Sequence, residues 1–72
     1  MRLSGERLRA ERVRAGYTQA QLGHYADLSE KTVRRLEAGQ NTPHLDTVGR
    51  LATALGVPAT ALLAPEETGV PT

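Results

Sequence analysis

Apolar residues recur along the chain at intervals of three and four, and no run alternates as the residues of a strand do. Residues that commonly start and stop helices divide this pattern into short segments. Three helices are predicted in this way. The first lies between Ser4 and Gly16, the second between Thr18 and Asp27, and the third between Ser29 and Gly39. The pattern predicts an all-α fold.

A turn and two further helices follow. The segment QNTPH, residues 40–44, predicts a turn because its proline cannot lie inside a helix. One face of a fourth helix recurs at Leu45, Val48, Ala52 and Leu55, and a short fifth helix carries Leu62 and Leu63. We expect one domain over residues 1–63, a compact bundle of five short helices. Residues 64–72 lack apolar periodicity, so we expect them to form a disordered tail or linker.

Composition narrows the function classes. The 72 residues suffice for one small domain, with no cysteine for disulfides or thiolate metal sites and no apolar run or signal-peptide region. We therefore expect a small cytoplasmic protein without a membrane segment. The net charge is only +1, but residues 1–16 hold five arginines against two glutamates. This distribution suits an anionic partner without identifying one.

The second and third helices are so close in sequence that they must pack at a steep angle, as in a helix-turn-helix. This arrangement requires a small residue where the two helices meet, and Gly23 supplies one. The alternative is that Gly23 is only a tolerated weak point, since glycine costs about 1 kcal/mol inside a helix. Asp27 lies in the turn, and aspartate is one of the few residues that enter the left-handed conformation readily.

The third helix separates apolar from cationic residues. At 100° per residue, Val33 and Leu36 face inward, whereas Lys31 and Arg35 share a stripe almost opposite Val33. Two like charges four residues apart mildly destabilise a helix. The pair therefore suggests an anionic target, although a simple solvated face remains the alternative.

Glu37 accompanies the inward face of the third helix, where an unpaired carboxylate would cost several kcal/mol. In the first helix Arg12 follows Leu8 by four residues and points to the same interior. Because arginine can bind both carboxylate oxygens, we predict an Arg12–Glu37 bridge that orients the third helix. The alternative is that both groups reach solvent at the edge of the domain.

The segment YTQAQLGHYADLSEKTVRRLEAG, residues 17–39, resembles the helix-turn-helix of phage repressor and Cro proteins, the Xre family. The matching positions are Thr18, Gln19, Leu22, Gly23, Ser29, Val33, Leu36, Glu37, Ala38 and Gly39. The likeness continues through Pro43 and Gly56-Val57 and covers about residues 5–63. It implies a lambda-repressor-like fold and sequence-specific binding of double-stranded DNA by a transcriptional regulator, most simply a repressor.

The resemblance also implies roles for individual residues. The third helix, about residues 29–38, would read bases in the major groove through Glu30, Lys31, Thr32 and Arg35. Phosphates would be contacted by Thr18, Gln19, Ser29, Arg34, Gln40, Asn41 and Thr42. Arg12 and Glu37 match the family's inter-helix ion pair. Glu30 remains open, because it could accept from cytosine, cap its own helix or repel phosphate.

Two departures from the family pattern weaken the expected DNA binding. The turn residue, usually glycine, is Asp27, and the often basic loop over residues 40–42 is neutral. Each lost phosphate contact lowers the salt dependence of binding by about one unit of slope. The resemblance also implies a homodimer on an inverted repeat, which would compensate for the weak binding. Leu62, Leu63 and the end of the fifth helix are candidates for its interface, although a core role is the favoured alternative for at least Leu62.

Other function classes remain as alternatives. The same fold could serve as a protein-interaction module with a second protein partner, such as an antitoxin or adaptor, or as the N-terminal DNA-targeting domain of a longer regulator. An enzyme has little support, because His24 and His44 are twenty residues apart and form no metal pair. We expect no cofactor and no metal.

Overall fold

The computed structural model describes residues 2–40 and 42–64. Their elements are, in order, β1 (Arg2–Leu3), α1 (Gly5–Ala15), α2 (Gln19–Ala26), α3 (Glu30–Glu37), α4 (Leu45–Leu55), a 3₁₀ turn (Ala59–Leu62) and β2 (Leu63–Ala64). The all-α expectation is correct in the main. The count of five helices is wrong, since the described residues contain four α-helices and the expected fifth is a four-residue 3₁₀ turn.

Two short strands close the fold, and the sequence pattern did not indicate them. β1 and β2 pair antiparallel, with Arg2 opposite Ala64 and Leu3 opposite Leu63. Arg7 strengthens the junction, because its Nη1 donates to the Leu63 carbonyl at 2.8 Å. Ala64 was expected in the tail but lies in β2. Residues 65–72, the rest of that predicted tail, lie outside the described residues.

The predicted helix caps are present. Ser4, Thr18 and Ser29 each accept a hydrogen bond from the backbone N–H three residues later. At the opposite ends, Gly16 and Gly56 adopt the left-handed conformation that glycine enters without steric cost. These caps fix the helix lengths locally, before any packing is considered.

The core is aliphatic and lies where the helices meet. Its buried members are Leu8, Leu22, Ala26, Val33, Leu36, Leu51, Ala52 and Leu62. Each fully buried leucine contributes roughly 1.5–3 kcal/mol relative to exposure. α2 packs against both α3 and α4, and α1 packs against α3.

One predicted core residue lies outside the core. Leu45 is 77% exposed, and the inward face of α4 is formed by Val48, Leu51 and Ala52. Leu45 is the first residue of α4, so the period places it on the correct side of the helix but beyond the edge of the neighbouring helices. Leu62, by contrast, is fully buried.

Candidate nucleic-acid interface

The turn between α2 and α3 brings two backbones into contact at Gly23. A Cβ at position 23 would lie 2.6 Å from the Leu28 carbonyl oxygen, closer than any carbon side chain can approach. The Leu28 N–H donates to the Gly23 carbonyl at 2.7 Å and closes the turn. Asp27 holds φ at 61°, the left-handed conformation predicted for it. Gly23 is therefore required by close packing, and the tolerated-weak-point alternative is wrong.

α3 presents two faces of opposite character. Val33 and Leu36 are buried, whereas Lys31 and Arg35 are exposed. Among the described residues neither of these two cations has an ion-pair partner within 4 Å. The outward stripe of α3 is thus a pair of like charges on one helix face, held in place by the packing of the other face.

Three further polar residues of α3, namely Glu30, Thr32 and Arg34, pair along the helix or with its N-cap Ser29. Arg34 Nη2 lies 3.3 Å from Glu30 Oε2, and both side chains are more than half exposed. Ser29 Oγ accepts from the Thr32 N–H at 3.0 Å and donates to Thr32 Oγ1 at 2.9 Å. Ser29 thus both caps α3 and contacts the Thr32 hydroxyl.

A network of partly buried polar side chains joins three helices at the other end of α3. Arg12 donates to Glu37 from Nε at 2.6 Å and from Nη2 at 3.2 Å, so the structure brings together the two residues that the sequence paired. Their side chains are only 12% and 6% exposed. Gln19 Nε2 donates to Glu37 Oε1 at 3.1 Å, and Arg12 Nη1 donates to the Tyr17 carbonyl at 2.8 Å.

The start of α2 adjoins this network. Thr18 and Gln21 form a reciprocal capping box, with the Gln21 N–H on Thr18 Oγ1 at 3.0 Å and the Thr18 N–H on Gln21 Oε1 at 2.8 Å. Gln19 is half-buried beside them. Because a helix N-terminus carries a partial positive charge and free N–H groups, this end of α2 suits a phosphate.

The loop after α3 is only partly described. Gln40 and Thr42 are exposed, as the predicted contacts with DNA phosphates would require. Asn41, the third predicted phosphate contact of the loop, lies outside the described residues. The described part of this loop follows directly after α3, and the Gln40 N–H donates to the Arg35 carbonyl at 3.0 Å.

Sequence reasoning missed one glycine that positions α3. A Cβ at Gly5 would collide with the backbone carbonyl of Glu37, so the first turn of α1 touches the last turn of α3. No local signal marks this contact, because glycine also occurs at the start of helices that touch no other helix there. Arg50 was missed as well, and it lies 3.6 Å from both Asp27 and Asp46.

Residues 5–64 match the model of a family described as "Helix-turn-helix domain". The chain belongs to this helix-turn-helix family. Comparison with curated proteins gave no match. Within the described residues, no helix has the length and apolar character needed to cross a membrane. The same residues contain no cluster of three or more side chains suited to a metal ion.

Solved structures extend the similarity. The restriction-modification controller protein C.AhdI from Aeromonas hydrophila is 34% identical, over 82% of this chain and 89% of its own, with a TM-score of 0.80. The P22 c2 repressor, in complex with synthetic operator 9T, is 30% identical, over 88% of this chain and 96% of its own, with a TM-score of 0.78. These similarities confirm the predicted likeness to phage repressors and support DNA binding and transcriptional regulation as the functional class of this helix-turn-helix domain.

The fold also occurs inside a larger protein. A hydroxyethylphosphonate dioxygenase mutant is 27% identical, over 97% of this chain but only 15% of its own, with a TM-score of 0.78. The fold of this chain can therefore form a small part of a dioxygenase chain.

Proposed function

We propose that this helix-turn-helix domain binds double-stranded DNA in a sequence-specific manner and acts as a transcriptional repressor, with α3 in the major groove. The observation that carries the proposal is the outward pair Lys31 and Arg35 on a helix whose other face is buried. Their like charges cost the isolated helix some stability, and an anionic partner removes that cost. The similarity to a repressor solved with its operator supports the same assignment.

Arg35 is the first candidate for reading a guanine. Its guanidinium can donate to guanine O6 and N7 together, a contact worth roughly 1–3 kcal/mol of discrimination. Lys31 can approach the same atoms as a point charge, and the Thr32 hydroxyl can donate to a base edge. Glu30 is occupied by Arg34 in the free protein. A direct contact between Glu30 and cytosine therefore requires that exposed pair to separate.

Phosphate contacts would surround the reading helix on both sides. We assign them to Thr18 and Gln19 at the start of α2, to Ser29 and Arg34 on α3, and to Gln40, Asn41 and Thr42 in the following loop. Of these seven residues only Arg34 carries a charge. Because neutral donors displace few counterions, the affinity of one copy should depend weakly on salt.

A homodimer on an inverted repeat would compensate for this weak binding. Two half-sites bound together multiply the affinity of either one, and their centres would lie about 34 Å apart, one turn of DNA. The candidate interface residue Leu62 is fully buried within the monomer and cannot serve. Leu63 is half-buried in β2 and remains available in part.

Selection from random DNA tests the proposal most directly. We expect enrichment of a palindrome with half-sites one helical turn apart, and binding that weakens as salt rises. The competing function is a protein-interaction module, because the fold also occurs within a larger dioxygenase chain and fold alone does not assign DNA binding. Nonspecific complexes with DNA form at roughly 1–100 μM protein. If no palindrome is enriched and no salt-dependent binding is seen at protein concentrations up to about 100 μM, the protein-interaction module is favoured over DNA binding.

A further inference from the structure

Gln19 is tied to the ion pair that joins α1 to α3. Its Nε2 donates to Glu37 Oε1 at 3.1 Å, and the same carboxylate receives two hydrogen bonds from Arg12. Glu37 exposes only 6% of its side chain, so water cannot readily replace these donors. The Gln19 amide is therefore held by a buried group rather than left to rotate.

When one N–H of a side-chain amide is held by a hydrogen bond, the second N–H of that amide points in a fixed direction. The NH₂ group carries two hydrogens in the plane of the amide, and Glu37 takes one of them. Gln19 is the first residue of α2, where the free N–H groups of the helix also lie. The second amide hydrogen and the end of α2 can therefore bind one phosphate together.

We propose that Glu37 is a positioning residue for phosphate binding, which it promotes by orienting the Gln19 amide in advance. This inference rests on the DNA binding proposed above. A mobile glutamine loses side-chain freedom when it binds, whereas Gln19 has already lost it on folding. Immobilising one such side chain changes affinity by roughly two- to tenfold.

Arg12 allows the Glu37 carboxylate to orient Gln19 close to a bound phosphate. An unpaired Glu37 would repel the phosphate group, but Arg12 contacts both of its oxygens and balances the charge. Arg12 is itself fixed by its bond to the Tyr17 carbonyl at 2.8 Å. The network thus supplies orientation to Gln19 while adding no net negative charge at the phosphate site.

The test is a double-mutant cycle in DNA affinity, measured on the whole chain with the operator obtained by selection. Gln19→Ala should weaken binding roughly tenfold in the unmodified protein and no more than about threefold when Glu37→Gln is already present. The change in charge at position 37 is common to both arms and cancels. Glu6→Gln, an exposed carboxylate of α1, is the matched control and should leave the effect of Gln19→Ala unchanged.

Equal effects of Gln19→Ala in both backgrounds would overturn the inference and leave DNA binding intact. Binding by no variant, the unmodified chain included, would overturn the proposed function and this inference with it. A second measurement needs no DNA: the Gln19 side-chain NH₂ resonances should be well separated in the unmodified protein and collapse toward free-glutamine values with Glu37→Gln. Unchanged resonances would contradict the proposal.

Glu37→Gln leaves Arg12 without its partner and could prevent folding. Gln19→Asn then carries the test, because it retains the amide but is one methylene too short to reach Glu37 and a phosphate together. Gln19 belongs to no apolar cluster, so this variant should fold. We expect Gln19→Asn to bind as weakly as Gln19→Ala, and affinity equal to that of the unmodified protein would refute the positioning role.

Discussion

Replacing Gly23 by alanine should destabilise the domain, whereas the same change at Gly49 should stabilise it. Both glycines lie inside helices, in α2 and α4. A Cβ at Gly49 meets nothing within 4 Å, but one at Gly23 would lie 2.6 Å from the Leu28 carbonyl oxygen. The two substitutions gain the same helix propensity and differ in the space around the new methyl group.

The expected magnitudes follow from these contacts. Alanine gains about 1 kcal/mol over glycine in a helix, so Gly49→Ala should raise stability by roughly 0.5–1 kcal/mol. At Gly23 this gain is opposed by overpacking, which typically costs 1–3 kcal/mol. The cost should be near the upper end, because the colliding atom belongs to the backbone of a turn closed by its own hydrogen bond. We expect a net loss of about 1–2 kcal/mol.

Thermal unfolding followed by circular dichroism measures both variants. A difference of 2 kcal/mol between them corresponds to roughly 8–16 °C in Tm for a domain of this size. DNA affinity, measured well below both midpoints, should also fall for Gly23→Ala, because α3 must tilt away from α2 to admit the methyl group. A Gly23→Ala protein as stable as Gly49→Ala would show that the helices do not meet as closely as the structure indicates.

Three further substitutions test other parts of the site. Arg12→Ala should lower the free energy of unfolding by about 3 kcal/mol, because it leaves the Glu37 carboxylate without its ion pair. The control Arg14→Ala, on the exposed side of α1, should change the free energy of unfolding by less than about 0.5 kcal/mol. Urea titration measures both. Lys31→Ala with Arg35→Ala should keep the Tm and abolish sequence preference, and a preference that survives in a repeat of the selection would exclude both as readers. Asp27→Gly should stabilise the left-handed turn by up to about 1 kcal/mol and Asp27→Ala should destabilise it, so similar urea midpoints would count against strain at this residue.

The sequence predicted what depends on neighbouring residues. Serine and threonine caps act on N–H groups three residues away, and the left-handed Asp27 is a local conformational preference. The short link between the second and third helices predicted the helix-turn-helix, and helical periodicity predicted the inward and outward faces of the third helix. The Arg12–Glu37 contact spans 25 residues, yet it followed from periodicity because an inward charge requires an inward partner.

What escaped prediction depends on contacts between distant segments. β1 and β2 have two residues each, too few to show alternation, and their pairing joins the two ends of the described chain. The 3₁₀ turn replaces an α-helix because only four residues separate Pro58 from β2. Leu45 follows the helical period of the core residues, but exposure depends on how far the neighbouring helices extend. Periodicity contains no information about that distance.

α3 is positioned at both of its ends, which matters because this helix cannot be stable alone. An eight-residue helix spans about 12 Å and is too short to persist in water without tertiary contacts. At its start, the Gly23–Leu28 contact sets the angle to α2, and at its end Glu37 contacts Gly5 and Arg12. Val33 and Leu36 hold the middle by apolar burial, which resists separation but tolerates rotation. The polar contacts at the two ends restrict that rotation, so their loss should reduce DNA specificity before it unfolds the domain.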